Sequence, residues 1–84
     1  MNPEEFALLV ARNVRACRVR SGLSQSELAD RAGLESDCLA QVEAGSVPVS
    51  SHVLFELAHA LECPVQGFVQ ENQSEPKYAG GSPP

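Results

Sequence analysis

GLSQSELADRAGL, residues 22–34, contains a helix start, a short helix and a helix stop in one uninterrupted run. Ser24 and Glu27 stand at capping-box spacing, where hydroxyl and carboxylate each satisfy a backbone N–H freed at a helix start. Gly33 ends that helix. The next segment, from about Glu35 to Ala44, offers Leu39 and Val42 as a narrow apolar stripe before Gly45 terminates it. Two short helices, about Ser24 to Arg31 and Glu35 to Ala44, are therefore expected to meet across Ala32-Gly33-Leu34. A brief turn containing Gly between two such helices describes a helix-turn-helix.

Around this motif the remaining breaks fall at Ser21-Gly22, Gly45 to Val49 and Cys63-Pro64. Asn2 and Pro3 form a cap and first-turn pair, Glu4 and Glu5 complement the positive helix end, and Phe6, Val10, Val14 and Cys17 recur at helical spacing. A first helix is expected from about Pro3 to Arg20. Ser50 or Ser51 starts a fourth, in which Val53, Leu54, Leu57, Ala58 and Leu61 make the widest apolar face. Pro64 suits the first turn of a short fifth helix bearing Val65, Phe68 and Val69. The expectation is an all-α, five-helix domain over residues 1–70. Residues 71–84, ENQSEPKYAGGSPP, have too little to bury and are expected to form a flexible polar tail.

Eighty-four residues with 43% hydrophobic content suit one core, and the aromatics Phe6, Phe55, Phe68 and Tyr78 leave that core largely aliphatic. No apolar run reaches membrane-spanning length, and Glu4 and Glu5 stand where a signal peptide has cations. A cytoplasmic protein with no membrane association is expected. Cys17, Cys38 and Cys63 lack close ligand spacing, which disfavours a disulfide scaffold or zinc finger. His52, His59 and Cys63 offer only chance i,i+4 spacing, so no metal ligand is assigned. No nucleophile, acid–base pair or phosphate-cradling loop is recognisable. Neither catalysis nor a cofactor is expected.

GLSQSELADRAGL, followed by LAQVEAGSV and LFELAHAL, resembles the lambda-repressor and Cro-like (Xre-type) helix-turn-helix family from about Val10 to Val69. Gly22-Leu23, Gln25, Glu27-Leu28-Ala29 and Glu43-x-Gly45 carry the resemblance. It implies a sequence-specific, double-stranded-DNA-binding transcriptional regulator whose third helix enters the major groove while the start of the second sits over phosphate. It also aligns Arg18 with a basic residue that pairs with Glu43. The residues themselves allow this pairing, since Glu43 follows Leu39 and Val42 and would be costly to turn inward alone.

The resemblance places Gln25 on phosphate, and Glu35, Ser36 and Asp37 at base- or phosphate-contacting positions. Gln41, on the polar face of helix three, has an amide suited to adenine N6 and N7. Each Gln has the alternative of an ordinary solvated side chain. The family likeness is weakest in charge. Leu34 to Ser50 contains no Lys or Arg while Glu35, Asp37 and Glu43 are acidic, and the whole chain carries a net charge of −5. Arg12, Arg15, Arg20 and Arg31 are the other available cations, with Arg15 and Arg31 the preferred phosphate contacts. A homodimer is expected, with Val65, Phe68 and Val69 as its surface or, alternatively, as closure of the monomer core. The competing functional reading keeps the fold but makes it a protein-interaction module that docks another protein on an acidic helix-three face.

Overall fold

A computed structural model describes residues 1–70, which fold into α1 (Pro3–Arg20), α2 (Gln25–Ala32), α3 (Ser36–Ala44), α4 (Ser51–Leu61) and α5 (Gln66–Val69). No strand occurs among the described residues. The expected tail, residues 71–84, lies outside them.

Local chemistry sets the helix starts. The Asn2 side chain accepts from the Glu5 N–H at 2.8 Å while the Asn2 N–H donates to Glu5 at 3.1 Å, so the first helix begins in a full capping box. Ser24 and Glu27 form the same reciprocal pair at 3.0 and 2.8 Å. These bonds to Ser24 hold the Glu27 carboxyl below its ordinary range, with smaller help from Arg31 one turn later. Ser50 caps α4 through the Val53 N–H. Each of these three residues is a cap outside its helix. The helix-turn-helix boundaries accordingly lie one residue later than the sequence pattern suggests: the turn is Gly33-Leu34-Glu35, and Glu35 takes the cap position of α3 without a side-chain bond.

The core is aliphatic apart from Phe68. Val10, Val14, Leu28, Leu39, Leu57 and Phe68 have almost no solvent contact, and Ala29, Ala32, Val42, Ala58 and Leu61 complete the packing. Phe6 departs from the expected face and is exposed. The buried stripe of α1 begins at Ala7, in register with Val10, Val14 and Cys17, because the i, i+3, i+7 and i+10 side chains share one side of a helix.

The first helix serves two neighbours. It packs chiefly against α3 and α5, while α2 lies between α3 and α4. Toward α5 it presents Asn13, a buried polar residue whose Nδ2 donates to the carbonyls of Phe68 and Gln70, each at 2.9 Å. These two carbonyls lie at the end of a single-turn helix too short to satisfy them internally. With Phe68 buried, Asn13 fastens that helix to α1. Pro64 lies before α5, where its carbonyl accepts from the Gly67 N–H at 3.0 Å.

Gly33 and Gly45 end α2 and α3 in the left-handed region, at φ of 71° and 70°. Their surroundings differ. A Cβ on Gly33 would meet nothing within 4 Å, whereas one on Gly45 would come within 2.6 Å of Leu8 Cδ2 and 3.3 Å of Leu8 Cα. Gly33→Ala should cost about 1–2 kcal/mol from left-handed strain alone. Gly45→Ala should cost about 1 kcal/mol more, because the exposed Leu8 side chain can swing away but its backbone cannot. Urea unfolding of the two variants checks this, and equal midpoints would show that α1 does not constrain the end of α3.

Candidate nucleic-acid interface

On α3, Leu39, Val42 and Glu43 are buried while Ser36, Asp37, Gln41 and Ala44 are exposed. A glutamate on the inward side needs an explanation, and α1 supplies it. Arg18 Nε donates to Glu43 Oε2 at 2.7 Å and Arg18 Nη2 donates to Oε1 at 3.1 Å, a two-pronged pair in which the Glu43 side chain is 2% exposed. The third guanidinium nitrogen, Nη1, donates to the Leu23 carbonyl at 2.9 Å. Gln25 Nε2 also donates to Glu43 Oε1, at 3.0 Å. One buried carboxylate thus receives three donors and ties α1, the turn before α2, the start of α2 and α3 together.

This arrangement fixes the direction of α3. With Glu43 drawn inward, the residues at Asp37, Gln41 and Ala44, spaced four and three apart, form the outward stripe. The far end of α3 is equally defined, since the Gln41 carbonyl accepts from the Ser46 N–H at 3.2 Å and from Ser46 Oγ at 3.3 Å.

The sequence-derived candidates divide into three groups. Glu35, Ser36, Asp37 and Gln41 lie together on the exposed side of α3 and its cap. The Gln25 side-chain amide donates to Glu43, so in this structure it supports the helix pair, and its oxygen and second N–H are uncommitted to that bond. The exposed cations are split. Arg15 lines a cleft with Gln25, Ala40 and Ala44, and a neighbouring cleft with Arg12, Leu8 and Ala44, so positive charge flanks the C-terminal half of α3. Arg31 stands at the last turn of α2, where its charge is partly directed to Glu27.

Arg12 shares the cleft beside α3 with Arg15. Its spacing of three residues from Arg15, on the stripe that includes Leu8 and Arg18, is the sequence signal that marks this position. Phe68 must be removed from the expected dimer surface. It is 1% exposed in the monomer core because the closing helix needs one large side chain to seat it, leaving Val65 half-buried and Val69 exposed. Phe55, 61% exposed on α4, is an apolar surface residue that helical periodicity does not single out.

A family model described as a helix-turn-helix domain matches residues 9–67, which include all of α2, α3 and α4. The chain belongs to the helix-turn-helix family. The restriction-modification controller protein C.AhdI from Aeromonas hydrophila is 31% identical with a TM-score of 0.72, over 74% of this chain and 94% of that one. A hypothetical transcription factor, NHTF, from Neisseria is 26% identical with a TM-score of 0.81, over 93% and 88%. A helix-turn-helix regulator from Vibrio cholerae shares the fold, with a TM-score of 0.79 at 24% identity; the match spans 90% of this chain and 41% of that protein. No curated protein sequence matches the chain. The fold and motif expected from GLSQSELADRAGL are those of this helix-turn-helix family.

The three-donor clamp makes a graded prediction. Arg18→Ala should destabilise the protein by about 3–5 kcal/mol, because it leaves a buried carboxylate without its cation. Gln25→Ala removes one donor of three and should cost about 1–2 kcal/mol. Denaturant midpoints measure both, and a loss below about 1 kcal/mol for Arg18→Ala would show that this pair does not hold α3 in place.

Proposed function

We propose that this helix-turn-helix protein is a sequence-specific, double-stranded-DNA-binding transcriptional regulator that works as a homodimer. The observation that carries the reading is the exposed Asp37-Gln41-Ala44 stripe on a helix whose inward side is clamped by Arg18, Gln25 and Glu43. A fixed helix with polar side chains on its outer face can be inserted into a major groove without refolding. The restriction-modification controller and the Neisseria transcription factor support the regulatory assignment.

In this reading Gln41 forms a two-bond contact with adenine and Ser36 approaches a base edge or phosphate. Glu35 and Asp37 accept from cytosine N4 and exclude sequences that offer an acceptor there. Arg15 and Arg31 contact phosphate, with Arg12 beside Arg15 as a further cation. Two protomers place their third helices in successive major grooves about 34 Å apart. Val65, just before the closing helix, and Val69, at its end, lie at the dimer surface, and exposed Phe55 adds apolar area.

The acidic character of Glu35 and Asp37 also supports a second reading, a module that docks a basic protein on the same face. Only the DNA-binding reading predicts retention of a subset of DNA sequences; salt weakens both.

Titration of the full chain against a genomic fragment library, followed by its selected site, tests the first reading. Four arginine–phosphate contacts per dimer should give a log K against log salt slope near about −3.6. Arg15→Ala should reduce the slope by about 1.8, as two contacts are lost per dimer. Gln41→Ala should cost about 1–3 kcal/mol per half-site and relax discrimination at one base pair. Failure to retain any fragment at low salt, with the protein folded, would reject the DNA-binding reading; sedimentation showing only monomer at high micromolar concentration would reject the dimer.

A further inference from the structure

The described residues bring Cys17 and Cys63, 46 positions apart, to an Sγ–Sγ separation of 2.7 Å. Both are free thiols. Cys17 belongs to the buried stripe of α1, and Cys63 follows the C-terminal cap of α4. Two features direct Cys63 toward α1. Glu62 adopts a left-handed φ of 56°, the one non-glycine residue to do so among those described, and the Cys63 N–H donates back to the Ala58 carbonyl at 3.0 Å. The chain therefore reverses sharply at the end of α4 and is held in that reversal. On the other side, Asn13 and Phe68 fix the following helix against α1.

The pair is reachable from solvent. A groove of about 420 Å³ is lined by both cysteines together with Pro64, Gln66, Gly67 and Phe68. Cys38, on α3, makes no hydrogen bond with either thiol among the described residues.

We propose that Cys17 and Cys63 are a reversible redox modification site, converted by a hydroperoxide to an intramolecular disulfide that staples α1 to the reversal after α4. In the first step the Cys63 sulfur, as thiolate, attacks one peroxide oxygen. An S–O bond forms, the O–O bond breaks, and the departing oxide takes up a proton as water or alcohol. In the second, the Cys17 thiol attacks the resulting sulfenic sulfur. The S–S bond forms, the S–O bond breaks, and hydroxide leaves with the Cys17 proton as water. Two thiols are oxidised by two electrons and one hydroperoxide is reduced.

The environment of Cys63 determines the character of this couple. Burial, followed by its hydrogen bond and proximity to Cys17, pushes the Cys63 thiol up to about 12, although Arg20 acts in the opposite direction. Such a thiol is mostly protonated at neutral pH and reacts slowly. The site therefore responds to sustained oxidation. Because the bridge closes a loop containing the whole helix-turn-helix, it restricts the unfolded chain and raises the melting temperature.

The test is overnight exposure of the full chain to dilute hydrogen peroxide, with mass spectrometry, thiol titration and melting as readouts. Cleavage after glutamate places the three cysteines in separate peptides, residues 6–27, 36–43 and 63–71. The expected product is a monomer lighter by about 2 Da with one titratable thiol left on Cys38, residues 6–27 linked to 63–71, and a melting temperature higher by about 10 °C. A thiol reductant should reverse all three changes. Cys38→Ser should preserve the response and Cys63→Ser should abolish it. Three titratable thiols after oxidation, oxygen adducts without a link, linkage through Cys38, or a linked protein that melts lower would overturn the proposal.

Discussion

The structure depends on one buried carboxylate. Glu43 sits on the inward side of α3 beside Leu39 and Val42, a position that would be prohibitive for an acid without compensation. Two guanidinium bonds from Arg18 and an amide bond from Gln25 supply that compensation. The directional nature of these bonds matters more than their net strength. A hydrophobic residue at the same place could fill the volume, but it would not specify the rotation of α3 about its axis or tie that rotation to the start of α2. The rotation decides which side chains face outward.

Electrostatics gives this interface an uneven character. The N-terminal part of α3 carries Glu35 and Asp37, whereas its C-terminal part lies beside Arg12 and Arg15 of α1. A surface of this kind gains little from nonspecific attraction to a polyanion. In the proposed DNA-binding reading, repulsion near Glu35 and Asp37 suppresses weak encounters, and binding would rely on a few matched hydrogen bonds and a small number of phosphate contacts. In the same proposal, two coupled protomers are the physical route by which modest half-site affinity would become useful.

The first helix organises more of the molecule than a simple amphipathic pattern implies. Its Leu8, Ala11, Arg15 and Arg18 positions lie along α3 or its flanking clefts, Val10 and Val14 enter the core, and Asn13 and Cys17 meet the C-terminal part of the fold. Three chemistries therefore occupy successive strips of one helix. Mutations on the strip facing α3 and on the strip bearing Asn13 and Cys17 therefore act on different neighbours.

The sequence by itself determined the elements and the motif, because caps, glycine stops and short-range apolar spacing are local properties. Ser24 with Glu27, and Gly33 and Gly45 at helix ends, needed no distant partner to be understood. The resemblance likewise identified Arg18 and Glu43 as a pair. Tertiary structure alone decided that Gln25 is engaged by Glu43, that Phe68 is core instead of surface, that Asn13 holds the last helix, and that Cys17 meets Cys63. Each of these depends on which faces of separated helices come together, and helical periodicity along a chain carries no information about the distance between two helices until their packing is known.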